Sequence, residues 1–106
     1  MATTYCQEAP TRADIDTRPG PLVLEFGDDH CGICAAARPA IEQALATQPK
    51  VPHLKIADGR GRPLGRSFGI TLWPTLVFMQ DGREVARLVR PTQTQAITHA
   101  FQTLLK

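Results

Sequence analysis

Two cysteines separated by two residues are the clearest chemical feature of this sequence. They are Cys31 and Cys34, and Gly32 and Ile33 stand between them. A pair at this spacing can open and close a disulfide, or it can supply two of the four ligands of a tetrahedral zinc site. The first use predicts exchange chemistry with other thiols, and the second predicts a bound metal.

A zinc site at this pair would need two further ligands from elsewhere in the chain. The candidates are Cys6, His30, His53 and His99, which form neither a second cysteine pair nor a histidine pair at zinc-finger spacing. The sequence therefore favours redox chemistry, and we expect neither a metal nor another cofactor. We expect Cys6 to be a structural or idle thiol, with a regulatory or intermolecular disulfide as the alternative.

The local pattern puts the pair at the start of a helix. Residues 22–26 form an apolar run typical of a strand covered on both faces, and from 31 to about 47 apolar residues recur at spacings of three and four. A helix N-terminus favours an anion, so we predict that Cys31 is the attacking thiolate. Cys34, one turn further on, would attack the mixed disulfide and release the partner.

The rest of the chain alternates strands and helices. The predicted elements are a short helix at 11–16, strands at 22–26, 51–57, 75–79 and 84–89, a helix from 31 to about 47, at most a short helix before Phe68, and a terminal helix opened by a capping box at 92–95. With a weak N-terminal strand the order is β-α-β-α-β-α-β-β-α. It predicts one α/β domain over residues 1–106, with a central mixed sheet and helices on both faces.

Composition and charge exclude several classes of protein. The chain has 106 residues, is 42% hydrophobic and carries a net charge of +2, which argues against disorder and against a dedicated nucleic-acid binder. It has no apolar run long enough to span a bilayer and no secretory signal at its start. We expect a cytoplasmic monomer that binds neither nucleic acid nor membrane, and we interpret the arginine-rich stretch 60–66 as a solvated loop.

The spacing of these features resembles that of the thioredoxin family from about residue 22 to 89. The matching residues are the strand 22–26, the motif 31–34, Pro39, Phe68-Gly69-Ile70, Trp73-Pro74-Thr75-Leu76 and the turn Asp81-Gly82. The resemblance implies a thioredoxin fold and a thiol–disulfide oxidoreductase that reduces protein disulfides through a mixed disulfide. It also implies an electron donor of the thioredoxin-reductase type.

The resemblance further implies roles for residues outside the dithiol. Pro74 would be a cis-proline that exposes the backbone of Trp73 to an extended substrate segment, with a trans-proline at the start of a strand as the alternative. Glu25 stands where most thioredoxins carry a buried aspartate. Burial there would raise the pKa of Glu25, which would accept the proton of Cys34; a half-exposed surface glutamate is the alternative.

Three residues depart from the family pattern at the expected substrate rim. His30 replaces the usual aromatic residue before the first cysteine, Ile33 replaces the usual proline, and Trp73 is larger than the usual residue before the cis-proline. Together with Gly32 and Pro74 they form the predicted substrate-binding set. The departures leave two alternatives to a general reductant, namely a reductase or isomerase dedicated to one client and a non-catalytic interaction module with a metal on its cysteines.

Overall fold

The computed structural model describes residues 4–105, which fold into a four-stranded sheet with helices packed against both faces. The elements in chain order are α1 Arg12–Asp16, β1 Pro21–Gly27, α2 Gly32–Leu45, β2 His53–Ala57, α3 Pro63–Ser67, β3 Thr75–Gln80, β4 Arg83–Val89 and α4 Thr94–Leu104. From β1 onward this order confirms the predicted alternation of strands and helices.

The sheet is mixed, as the sequence predicts. Its strands lie in the order β2-β1-β3-β4; β1 is parallel to β2 and antiparallel to β3, and β3 is antiparallel to β4. A central strand such as β1 is hydrogen-bonded along both edges and covered on both faces. Its residues from 22 to 27 are accordingly all buried.

Side chains of β1 alternate between two parts of the core. Leu24 and Phe26 pack in the cluster that includes Ile15 of α1 and Leu64 of α3, whereas Val23 packs in the cluster that holds the buried residues of α2 and α4. Because successive side chains of a strand point to opposite faces, Glu25 shares the face of Val23. The strand therefore directs a carboxylate toward the side of the sheet that carries α2.

The predicted N-terminal strand is reduced to one bridge. Cys6 pairs in parallel with Ile56, since the N–H of Cys6 donates to the carbonyl of Lys55 at 2.8 Å and the N–H of Ala57 donates to the carbonyl of Cys6 at 2.9 Å. These bonds hold the N-terminal segment along the outer edge of β2. They also bring its neighbour Tyr5 against the buried Ala57.

The helices begin in two different ways. Thr11 caps α1 through a full capping box with Asp14, but the capping box predicted for the terminal helix is wrong, because Gln93 is the N-cap of α4 and no side chain caps it. Cys31 caps α2.

Between residues 4 and 105, no helix combines the length and the apolar character needed to cross a bilayer.

Candidate active site

Cys31 occupies the N-terminus of α2 as the sequence predicts. It is the N-cap residue with extended backbone, and its Sγ accepts a hydrogen bond from the N–H of Cys34 at 3.1 Å. A donor of this kind, together with the positive end of the helix dipole, favours negative charge on the sulfur. Cys31 is half-exposed, so this sulfur can reach a substrate.

Cys34 is buried, whereas Cys31 is accessible. Only 4% of its surface is exposed, and both residues are free thiols. Burial raises the pKa of the Cys34 thiol to about 11, and the hydrogen bond and charge of Cys31 act in the same direction. Cys34 is therefore protonated at neutral pH and needs a proton acceptor before it can act as a nucleophile.

Glu25 lies buried in β1, with 2% of its surface exposed, which excludes the half-exposed alternative. Its Oε1 is bonded to His53 Nε2 at 2.9 Å, and its Oε2 accepts a short hydrogen bond from the Tyr5 hydroxyl. Burial alone raises the pKa of a carboxyl, but the bonds from His53 and Tyr5 and the charges of His53 and Lys55 outweigh it. The pKa of Glu25 is lowered below its ordinary 4.5, so the predicted upward shift is wrong.

Tyr5 connects the buried carboxylate to the dithiol. Its hydroxyl is bonded to Glu25, and its side chain packs against Cys34 in one buried cluster. Burial and the Glu25 carboxylate both raise the pKa of Tyr5, which keeps the hydroxyl protonated. Tyr5, Cys34 and Ala57 form a small apolar cluster, and Cys31 and Trp73 pack against it; we call these five residues the dithiol cluster.

The chain makes room for Tyr5 at a glycine. A Cβ added to Gly27 would lie 2.6 Å from Cζ of the Tyr5 ring, closer than any side chain tolerates. The backbone N–H of Tyr5 donates to Oδ1 of Asp29 at 2.9 Å, and Nζ of Lys55 lies 4.5 Å from the ring centroid. The Tyr5 ring is thus held in place by the backbone hydrogen bond to Asp29 and by its contact with Lys55 of β2.

The sequence analysis missed Tyr5, His53 and Lys55 as site residues. His53 was weighed only as a zinc ligand; in the structure it binds Glu25. Strand register could have indicated the two β2 residues, because His53 pairs with Val23 and Lys55 pairs with Glu25 on adjacent parallel strands. No pattern in the N-terminal segment indicates Tyr5.

The opposite wall of the site is formed by Trp73 and Pro74, whose peptide bond is cis. The indole N–H of Trp73 donates to Oδ2 of Asp58 at 2.8 Å, which fixes the ring. The carbonyl of Trp73 accepts from Nε of Arg90 at 2.9 Å. In the described part of the chain, nothing hydrogen-bonds to the N–H of Trp73.

The remaining predicted site residues lie at the surface around Cys31. Gly32 and His30 are exposed, and Ile33 exposes 45% of its surface. The structure brings Cys31, Cys34 and Trp73 together in the dithiol cluster, and the rim residues border it along the chain.

Cys6 is exposed, and its thiol donates to the carbonyl of Glu8 at 3.1 Å. Among residues 4–105, no three His, Cys, Asp or Glu side chains are grouped to hold a metal ion.

Comparison with known proteins decides the family. The thioredoxin family model matches residues 3–103. The chain belongs to the thioredoxin family. Its fold is the thioredoxin fold: thioredoxin 2 from Pseudomonas aeruginosa PAO1 in its reduced form superposes with a TM-score of 0.88 and 50% identity, covering 99% of this chain and 97% of that chain.

Other members of the thioredoxin family agree with this assignment. A thioredoxin from Chlamydia muridarum is 37% identical over 71 residues, which cover 66% of this chain and 69% of the relative. A mutant thioredoxin from Halobacterium salinarum NRC-1 has a TM-score of 0.76 at 25% identity, covering 97% of this chain and 90% of that chain. The chain is a thiol–disulfide oxidoreductase of this family, and the comparisons do not favour the non-catalytic or metal-binding alternatives.

Proposed function

We propose that this protein reduces disulfide bonds of protein substrates by two successive exchanges at Cys31 and Cys34. The observation that carries the proposal is the contrast within the pair. A half-exposed sulfur caps α2, and a buried thiol one turn later adjoins a tyrosine bonded to a carboxylate. The first sulfur suits attack on an incoming disulfide, and the second suits attack inside the complex.

In the first step the Cys31 thiolate attacks one sulfur of the substrate disulfide. The substrate S–S bond breaks, a bond forms between Cys31 and the attacked sulfur, and the other substrate sulfur leaves as a thiolate. The N–H of Cys34, 3.1 Å from the Cys31 sulfur, stabilises the charge before attack. This step needs no proton acceptor within the protein.

In the second step Cys34 attacks the Cys31 sulfur of the mixed disulfide. A Cys31–Cys34 disulfide forms, and the remaining substrate sulfur leaves as a thiolate. Once Cys31 is bonded to substrate it has lost its charge, so one of the effects that raise the pKa of Cys34 disappears. Burial persists, and the proton of Cys34 still needs an acceptor.

The acceptor path runs through Tyr5 to Glu25. Glu25 has one oxygen occupied by His53 and the other by the Tyr5 hydroxyl, and the Tyr5 side chain packs against Cys34. As Cys34 attacks, its proton moves to the Tyr5 oxygen while the Tyr5 proton moves to Oε2 of Glu25. The free thiol has a pKa of about 11 whereas the pKa of Glu25 lies below 4.5, so transfer accompanies S–S bond formation and does not precede it.

The wall opposite the dithiol supplies a place for the substrate backbone. The unbonded N–H of Trp73 can donate to a carbonyl of an extended substrate segment, while Arg90 keeps the Trp73 carbonyl oriented. Exposed Gly32 and Ile33 lie beside Cys31, where a small residue admits backbone and an apolar one packs against it. His30 borders the same surface.

The cellular setting is part of the same proposal. Membership of the thioredoxin family supports protein disulfides as substrates and a reductase of the thioredoxin-reductase type as the electron donor. We propose the cytoplasm as the compartment and a monomer as the active form. Turnover of a protein disulfide with NADPH and such a reductase tests the donor, and failure to turn over would instead favour the alternative of a reductase or isomerase dedicated to one client.

Trapping the intermediate tests the order of attack. With a protein disulfide substrate, Cys34→Ser should accumulate a mixed disulfide that mass spectrometry assigns to Cys31, while Cys31→Ser should accumulate none. Cys6→Ser, which alters an exposed thiol outside the dithiol cluster, should reduce the substrate at the rate of the unaltered protein. A mixed disulfide on Cys34 in the Cys31→Ser protein would contradict the proposed roles.

A further inference from the structure

A groove beside Trp73 gathers three arginines of the stretch 60–66, of which Arg66 lies in α3. A cavity of about 250 Å³ is lined by Arg60, Arg62 and Arg66 together with Asp58 and Trp73. We call it the arginine groove. The stretch 60–66, interpreted from the sequence as a solvated loop, contains most of α3; Arg60 and Arg66 are exposed, and the stretch lies beside Trp73.

The charge of the groove is mostly uncompensated. Asp58 contributes the one carboxylate in its lining, and its Oδ2 accepts from the Trp73 indole. Arg62 donates to the carbonyl and the side-chain oxygen of Gln7. Arg60 and Arg66 are exposed, and within residues 4–105 their guanidinium groups make neither an ion pair nor a hydrogen bond.

Trp73 joins the groove to the dithiol. It packs against the buried residues of the dithiol cluster, and its indole N–H reaches Asp58 in the groove. A substrate segment that crosses the dithiol along Trp73 therefore continues toward the arginines within a few residues, since an extended chain advances about 3.3 Å per residue.

We propose that the arginine groove binds acidic side chains flanking the reactive cysteine of a protein substrate. This inference rests on the proposed function and names its preferred substrate class. Guanidinium groups bind carboxylates with two parallel hydrogen bonds, and two exposed guanidinium groups offer this pairing in a groove that shares Trp73 with the dithiol cluster. A protein segment is favoured over nucleic acid because the groove adjoins the dithiol and the whole chain carries a net charge of only +2.

Three peptide disulfides of otherwise identical sequence test this preference. Glutamate, glutamine or lysine flanks the cysteine, and the second-order rate constant of reduction is measured by rapid mixing at low and high salt. At low salt we expect the glutamate peptide to react roughly tenfold faster than the glutamine peptide and the lysine peptide to react more slowly. The differences should shrink near 1 M salt, where the screening length is about 3 Å.

Two charge-reversed variants separate the effect of the charges in the groove from the effect of the protein's net charge. Arg60→Glu with Arg66→Glu should reverse the order of the charged peptides. Lys50→Glu with Arg83→Glu makes the same change of net charge at exposed positions near the starts of β2 and β4, at the opposite end of the sheet from Pro74. This control should retain the original order.

The outcomes separate failure of the groove from failure of the proposed function. Equal rates for the three peptides, or the same reversal in the control protein, would overturn the acidic-substrate proposal alone. Inorganic phosphate that slows all three peptides equally at constant ionic strength would assign the groove to a phosphate group and would overturn it as well. If the unaltered protein reduces none of the peptides, the proposed function itself is wrong.

Discussion

Tyr5 donates its hydroxyl proton to Oε2 of Glu25 beside the buried thiol of Cys34. The two residues are 20 positions apart and come together because the N-terminal segment bonds to the edge of β2 while Glu25 lies in the adjacent strand. This contact ties the buried carboxylate to the side chain that packs against Cys34.

The buried Glu25 carboxylate should make the free energy of unfolding depend on pH in the acid range. The pKa of Glu25 is below 4.5 in the folded state, so ionised Glu25 contributes stability that is fully present above about pH 4.5 and lost as pH falls through the folded pKa. Urea unfolding at a series of pH values should show this loss. Glu25→Gln should reduce the fall in unfolding free energy at acid pH, whereas Glu8→Gln, at an exposed position, should not. An unchanged fall at acid pH in Glu25→Gln would contradict the lowered pKa.

Gly27→Ala should disturb the site while leaving Cys31, Cys34 and Glu25 unaltered in sequence. The new Cβ would lie 2.6 Å from the Tyr5 ring, and relieving this clash should cost about 1–3 kcal/mol of unfolding free energy and displace the hydroxyl. Chemical denaturation measures the first effect. Gly32→Ala, whose Cβ would meet nothing within 4 Å, should retain full stability. Equal stability of both variants would mean that Tyr5 is not held against Gly27.

The one tryptophan should report the redox state of the dithiol. Trp73 packs against the cluster that contains Cys31 and Cys34, so closing the disulfide changes the surroundings of its indole. We expect the emission spectrum to differ between the reduced and oxidised proteins. The Cys31→Ser/Cys34→Ser variant should show no change on adding oxidant, and identical spectra of the two redox states of the unaltered protein would place Trp73 away from the dithiol.

Residue spacing was enough to predict where the cysteine pair lies in the fold. A strand followed by a short loop and an amphipathic pattern puts Cys31 at a helix N-terminus, and the structure confirms that position. The apolar neighbours of Glu25 likewise indicate a buried strand. These features are local in the sequence. The spacing of apolar residues along one element already indicates which of its faces are buried.

The partners of the carboxylate depend on contacts between distant segments. Tyr5 reaches Glu25 from a segment joined to the sheet by one bridge, which leaves no periodic pattern in the sequence. Without those partners, burial alone gave the wrong direction for the pKa of Glu25. The arginine groove was missed for the same reason, since only the fold brings the stretch 60–66 beside Trp73.

In the proposed second step Cys34 loses its proton through Tyr5 to Glu25, and Tyr5→Phe removes that path alone. The variant keeps the ring against Gly27 and removes only the hydroxyl. The protein should carry Cys6→Ser, since that exposed thiol would also react. Rapid mixing with an aromatic disulfide whose released thiolate absorbs visible light separates the first release, which follows attack by Cys31, from the second, which follows attack by Cys34.

We expect Tyr5→Phe to leave the first release unchanged and to slow the second roughly a hundredfold. Glu25→Gln should act similarly, and the double variant should be no slower than the slower single variant, because both residues serve one path. Thr98→Val removes a half-buried hydroxyl from α4 and serves as the control. A second release in Tyr5→Phe as fast as in Thr98→Val would contradict the proton path.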